Sequence, residues 1–300
     1  MDPKTILLAT MVALTLAYFV FWFVVAGQQR AAGHGAGDPV APRPADYGIG
    51  FVTNFFDTLG IGSFATTTAS YKTWKLVPDE QIPGTLNVGH AINAVLQSLI
   101  FIVAVEVEFR TLALMIAAAV AGAWLGAGFV AGMSRRTVQL GMGSALLGAS
   151  VIVVAQLLNL APGGEATALG GGLLVIGLVG NFMLGALMTL GVGLYAPCMV
   201  LVSVLGMNPA AAFPIMMGSC AFLMPVASFQ FIRKGAYNLR AALGLLIGGP
   251  LAVLLAVWLV TSLSTPMVRV LVLIVILYTS VTMLRSAAKE RAPRPAHTAS

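Results

Sequence analysis

Apolar residues along this chain fall into blocks of roughly bilayer length, separated by short polar or Pro/Gly-containing breaks. A membrane-spanning helix needs about 20 apolar residues, and Ile6 to Ala26 predicts the first. A cleaved signal peptide would have an apolar core of only about 7 to 15 residues, so the longer run favours a retained helix over 1–26. Residues 27–45 are polar, Gly/Pro-rich and without periodicity, which predicts a linker to the main body. Six further runs, about 84–104, 109–131, 137–159, 210–232, 239–262 and 266–285, predict conventional spans. Two stretches have awkward lengths. Tyr47 to Val77 and Ala168 to Gly206 are each too long for one upright helix and too short for two, and each holds glycines where a break would fall. The tail 287–300 is basic and Pro-containing, as a disordered cytoplasmic end would be.

Composition turns this pattern into a class. Of 300 residues 59% are hydrophobic and 9% charged, against roughly 25% charged in ordinary globular chains. Mean hydropathy is +0.95. A soluble enzyme, a nucleic-acid partner and intrinsic disorder are excluded together, leaving an all-α polytopic integral membrane protein whose main partner is the lipid bilayer. The net charge of +6 reports loop orientation, because Lys and Arg accumulate on the cytoplasmic side. Cys198 and Cys220 have no CxxC or Cys/His spacing, so neither a disulfide framework nor a zinc site is expected. No GxxxxGK[ST], HExxH or GxSxG occurs, which leaves ATP, metal or serine hydrolysis without support. The expectation is a non-enzyme without a cofactor, driven by a gradient.

Sliding the chain on itself by 131 positions lays Thr58-Leu59-Gly60-Ile61-Gly62 on Thr189-Leu190-Gly191-Val192-Gly193, Pro78 on Pro209 and Pro83 on Pro214. Two copies follow, 46–160 and 161–286. In the first, Lys72, Lys75, Arg135 and Arg136 mark basic loops around an acidic loop with Glu106 and Glu108. In the second, Arg233, Lys234 and Arg240 occupy the position of that acidic loop. Equivalent loops thus lie on opposite sides, the pattern of inverted-topology repeats in secondary transporters. About 12 residues flank each side of the first break, giving arms of about 18 Å, half a bilayer each. A re-entrant hairpin fits.

A chain that reverses at Gly60 to Gly62 and at Gly191 to Gly193 starts the following helix inside the membrane, with unpaired amides and a positive dipole end. Such a start is an anion site, and glycine lets a ligand approach its amides. Ser63, Thr66 and Thr67 add hydroxyls at the first break, and Tyr195 stands at the second. Asp57 is the one charged residue deep in an apolar run and a candidate proton carrier. His90, with Asn87, Asn93 and Gln97 on one helix face, is a second candidate. Asn54 and Asn181 are weaker polar candidates of the same kind. Glycines in membrane helices also serve close packing, and a lone histidine also serves as an interhelical bond; both readings stay open here.

The block Phe56-Asp57-Thr58-Leu59-Gly60-Ile61-Gly62-Ser63, together with Gly191-Val192-Gly193 and the twofold pattern over about 46–286, resembles the TauE/SafE sulfite exporter family of four-toluene sulfonate uptake permeases. Ser63 and Leu194 stand where family members often carry a third glycine. The resemblance implies alternating-access movement, with export the expected direction, of a small sulfur-containing anion such as sulfite, thiosulfate or an organosulfonate across the bacterial inner membrane. It implies substrate binding at Gly60, Gly62, Gly191 and Gly193. A transporter of another substrate centred on Asp57, and a membrane anchor of a redox complex, remain the alternatives; homo-oligomer formation is open.

Overall fold

The computed structural model describes residues 2–33, 39–125, 134–158, 160, 164–188 and 193–289. Among them the chain is helical without strands: α1 (Pro3–Ala31), α2 (Pro44–Thr58), α3 (Ser63–Thr73), α4 (Ile82–Ala104), α5 (Phe109–Leu125), α6 (Arg135–Leu157), α7 (Gly171–Met188), α8 (Tyr195–Val204), α9 (Ala212–Arg233), α10 (Leu239–Ser262) and α11 (Thr265–Lys289). Seven of these, α1, α4, α6, α7, α9, α10 and α11, are long and apolar enough to cross a membrane. The protein is a multi-pass membrane protein. Two expected boundaries move. Gly27 to Ala31 continue α1, because Gln28, Gln29 and Arg30 are good helix formers and Gln29 donates to the carbonyls of Ile232 and Arg233. Ala287 to Lys289 likewise end α11, while the rest of the tail lies outside the described residues.

Local chemistry sets the helix ends. The Ser134 hydroxyl accepts from the Thr137 amide at 3.1 Å and the Asn238 side chain from the Ala241 amide at 3.0 Å, capping α6 and α10. Pro225 and Pro250 sit inside α9 and α10, a placement that packed membrane helices accommodate. At the centre α4 lies along α9, flanked by α2 along α10 on one side and α5 along α7 on the other, with α6 along α11. The crossings are close because they are built on glycine: a Cβ added at Gly122 or Gly185 would collide with the carbonyl of Phe182 or Ala119, and one at Gly248 with that of Tyr47.

Charge sorts to the two ends of the bundle. At one end Arg43 donates to the Leu76 carbonyl, Arg240 to that of Ala41, and Lys72 pairs with Asp79, while the Asn238 amide donates to Thr85. Arg136 donates to the Ala287 carbonyl at the same end, about 33 Å along α11 from Thr265. At the other end the Glu108 amide donates to Thr167, Arg269 pairs with Glu165 at 2.8 Å, and Glu106 shares a cleft with Thr167, Asn208 and Thr265. Lys72, Lys75, Arg233 and Lys234 therefore group together, opposite Glu106, Glu108 and Ser264 to Pro266.

The two awkward stretches are helical hairpins, α2 with α3 and α7 with α8, and of these four helices α7 alone is long enough to span. The Arg43 to Leu76 bond joins the start of α2 to the segment after α3, so this hairpin enters and leaves at the basic end. Its turn needs left-handed backbone at Gly60 (φ +97°) and Gly62 (φ +88°), which glycine adopts without strain. Before α7, Ala166 bridges to Met207 after α8, with the Asn208 amide on the Ala166 carbonyl at 2.9 Å. The second hairpin enters and leaves at the opposite end.

Candidate functional site

Asp57, in the last turn of α2, is 4% exposed and stands where the starts of α3 and α8 converge. Its Oδ1 accepts the Ser63 amide at 2.6 Å. Its Oδ2 accepts the Gln97 side-chain amide at 3.0 Å, and the Tyr195 hydroxyl lies 3.5 Å away. Gln97 Nε2 also donates to the Thr58 hydroxyl at 3.0 Å, which fixes its amide so that Oε1 faces the Tyr195 hydroxyl at 3.4 Å. The carboxylate is held by neutral donors and by the positive end of α3. A carboxyl group of the chain itself therefore already occupies the helix start that the sequence assigns to a ligand.

The space open to a ligand lies on the other side of that start. A cleft of about 120 Å³ is lined by Ile61, Gly62, Phe64, Ala65 and Thr66 at the start of α3, by Gly193 before α8, and by α6 and α11. Phe64 and Ala65 belong to the first turn, whose amides have no acceptor within their own helix. A Cβ added at Gly62 or Gly193 would meet nothing within 4 Å, so both glycines face open space. Gln139 on α6 and Thr279 on α11 line the same cleft and are 7% and 8% exposed, and among the described residues Gln139 Oε1 and Thr279 Oγ1 are buried without a hydrogen-bond partner. A buried polar group left unpaired costs about 1–3 kcal/mol, a deficit that a polar ligand would remove. The volume is well below the 300–1,000 Å³ of drug-sized sites, which limits that ligand to a few heavy atoms. A larger cleft of about 290 Å³, lined by Glu106 and the loops of the acidic end, holds neither a short-helix start nor an unpartnered buried group among the described residues.

Of the residues expected to bind substrate, Gly62, Thr66 and Gly193 line this cleft. Gly60 does not: its missing Cβ makes room for the Met199 side chain, so it is a packing glycine. The Ser63 amide is taken by Asp57, Thr67 is wholly buried against His90, and Tyr195 faces Asp57. Gly191 lies outside the described residues. Thr66 donates to its own helix at the Ser63 carbonyl, 2.9 Å away, so only its acceptor capacity is free.

His90 is turned away from the carboxylate. Asn54 donates its amide to the Gly50 carbonyl at 2.7 Å, so its oxygen faces His90 Nδ1 at 3.1 Å, and that nitrogen carries the proton. Nε2, 3.0 Å from the Thr67 hydroxyl, then accepts. Both ring nitrogens have partners, and the ring ties α2, α3 and α4 together. The polar face expected on α4 also divides. Asn87 bonds back to the Pro83 carbonyl, Asn93 donates to the Leu245 carbonyl on α10, and only Gln97 reaches Asp57. Asn181 donates to Met115 on α5 and lies 3.3 Å from Ser219 on α9.

Sequence reasoning passed over Gln139, Thr279, Thr282 and Ser286, all in the cleft wall. A signal was present for three of them: spacings of three and seven put Thr279, Thr282 and Ser286 on one face of an otherwise apolar helix. Compared with protein-family models, with curated proteins and with solved structures, the chain matches none.

Proposed function

We propose that this protein is a secondary transporter of the TauE/SafE type that moves a small sulfur oxyanion, such as sulfite, thiosulfate or a short organosulfonate, across the bacterial inner membrane by alternating access. The observation that carries this reading is the pairing, in one cleft, of short-helix starts with two buried and unpartnered polar groups, Gln139 and Thr279. Amides at a helix start prefer oxyanions. Among the described residues no charged side chain lines the cleft, so the groups described there to hold an anion are dipoles, hydroxyls and an amide, which permits release on either side.

An inverted repeat supports alternating access. At the 131-residue offset α2 corresponds to α7, α3 to α8, α4 to α9, α5 to α10 and α6 to α11. Under that exchange the α2–α10 pair becomes α7–α5, while α4–α9 and α6–α11 map onto themselves, and all four are found. The hairpins enter from opposite ends. The cleft runs along α11 from Tyr278 to Ser286, toward the basic end, which the positive-inside rule makes cytoplasmic. A cleft on that side is where an exporter loads its substrate and where an importer releases it. Purified protein in proteoliposomes, offered sulfite, thiosulfate, methanesulfonate and isethionate, tests the reading: saturable flux of at least one supports it, and flux of none at any pH overturns it.

A further inference from the structure

We infer that Asp57 carries one proton with each anion, so that the protein is an anion–proton cotransporter; the inference rests on the anion reading of the cleft above. Asp57 and the cleft share one helix start from two sides. The carboxylate occupies the Ser63 amide, whereas Phe64 and Ala65, the next residues of that turn, line the cleft. Two negative charges at one helix end repel each other in a medium that screens them poorly. An anion in the cleft therefore favours the protonated carboxyl, and a protonated carboxyl favours the anion, with reciprocal effects of equal size.

The junction accommodates both protonation states, and Gln97 Oε1 gains a donor in the protonated one. With Asp57 ionised, Oδ2 accepts from Gln97 Nε2, and the Tyr195 hydroxyl donates toward it. When a proton is added to Oδ2, the Tyr195 hydroxyl turns. It accepts from the new O–H and donates its own hydrogen to Gln97 Oε1, already 3.4 Å away. Ser63 keeps its bond to Oδ1 throughout. One proton enters, one hydroxyl rotates, and no buried group loses its partner.

The groups facing Asp57 leave the proton no other owner. Ser63 from α3 and Gln97 from α4 do not titrate, and His90 on α4 is committed to Asn54 and Thr67. Tyr195 from α8 and Cys220 from α9 are the titratable neighbours. Its described hydrogen-bond partners include no lysine or arginine. In the second repeat the position of Asp57 is held by Met188, so the stoichiometry is one proton per transport cycle.

Methanesulfonate, a monoanion that does not itself titrate near neutrality, is the probe. In proteoliposomes carrying an internal pH dye, wild-type entry of methanesulfonate is expected to acidify the lumen by one proton per anion. An imposed pH gradient should then concentrate the anion about tenfold per pH unit at equilibrium. Asp57→Asn is expected to admit the anion without acidification and to lose gradient-driven accumulation, while its binding becomes independent of pH. Wild-type entry with no proton movement overturns the coupling and leaves the anion site standing. Undiminished accumulation by Asp57→Asn overturns it too. Absence of any saturable methanesulfonate entry overturns the anion reading and the coupling with it. The wild-type dye signal decides the matter even if Asp57→Asn fails to fold.

Discussion

The carboxylate of Asp57 accepts the backbone amide of Ser63 at 2.6 Å, across the break that separates α2 from α3. This bond uses one of the amides at the start of α3 and places a permanent acid behind the cleft that the next two residues face. The anion-binding power of a helix start is thus divided between a resident group and a visitor.

Gln139→Leu and Thr279→Val replace unpartnered polar atoms by apolar ones of similar shape. The empty protein should keep its thermal stability or gain slightly, because no hydrogen bond is lost. Oxyanion affinity by titration calorimetry should fall by about 1–3 kcal/mol for each variant, roughly 5- to 150-fold. A large drop in stability with unchanged affinity would return both residues to a structural role.

Two glycines give opposite outcomes. Gly193→Val adds a side chain in open space, so it should leave the melting temperature in detergent near that of the wild type and abolish anion binding. Gly185→Val drives a side chain into the Ala119 carbonyl at the α5–α7 crossing, and overpacking of this kind costs about 1–3 kcal/mol or more. Its effect should appear first in stability. Normal anion affinity in Gly193→Val would place the site elsewhere.

His90→Leu removes the tie between Asn54 and Thr67 and should destabilise the protein by about 1–3 kcal/mol. The pH profile of transport should keep its shape, because both ring nitrogens are bonded to Asn54 and Thr67 and neither reaches Asp57. A folded variant with a flattened profile would make His90 the coupling group in place of Asp57.

The spans were legible in the sequence because length and apolarity carry that signal alone, and the runs at 84–104, 210–232 and 239–262 fall within two residues of α4, α9 and α10 at every end. The break at Gly60 to Gly62 was legible as well, since a stretch of the wrong length holding glycines leaves the chain few options. Which glycine faces the ligand was not, because Gly60 and Gly62 share a turn and differ only in what stands opposite: the Met199 side chain, 139 residues away, or empty space. The same limit hid Gln139 and Thr279. An unpartnered group is defined by its surroundings, and α6 and α11 meet the breaks only in three dimensions.

Membrane orientation follows from the sorting of charge. Single cysteines placed at Lys75 and Lys234 in a Cys198→Ala, Cys220→Ala background should react with an impermeant thiol reagent from the cytoplasmic side. Cysteines placed at Glu106 and Ser264 should react from the periplasmic side. Labelling of positions 106 and 234 from the same side would contradict both the bundle ends and the inverted repeat.

The most direct measurement is counterflow of radiolabelled thiosulfate and methanesulfonate in proteoliposomes, comparing wild type with Gly193→Val and with Gln139→Leu. The account predicts saturable exchange by the wild type, none by Gly193→Val, and a weaker apparent affinity in Gln139→Leu, all three proteins being folded. Exchange of equal rate and affinity in all three, or exchange of neither anion by the wild type, would contradict it.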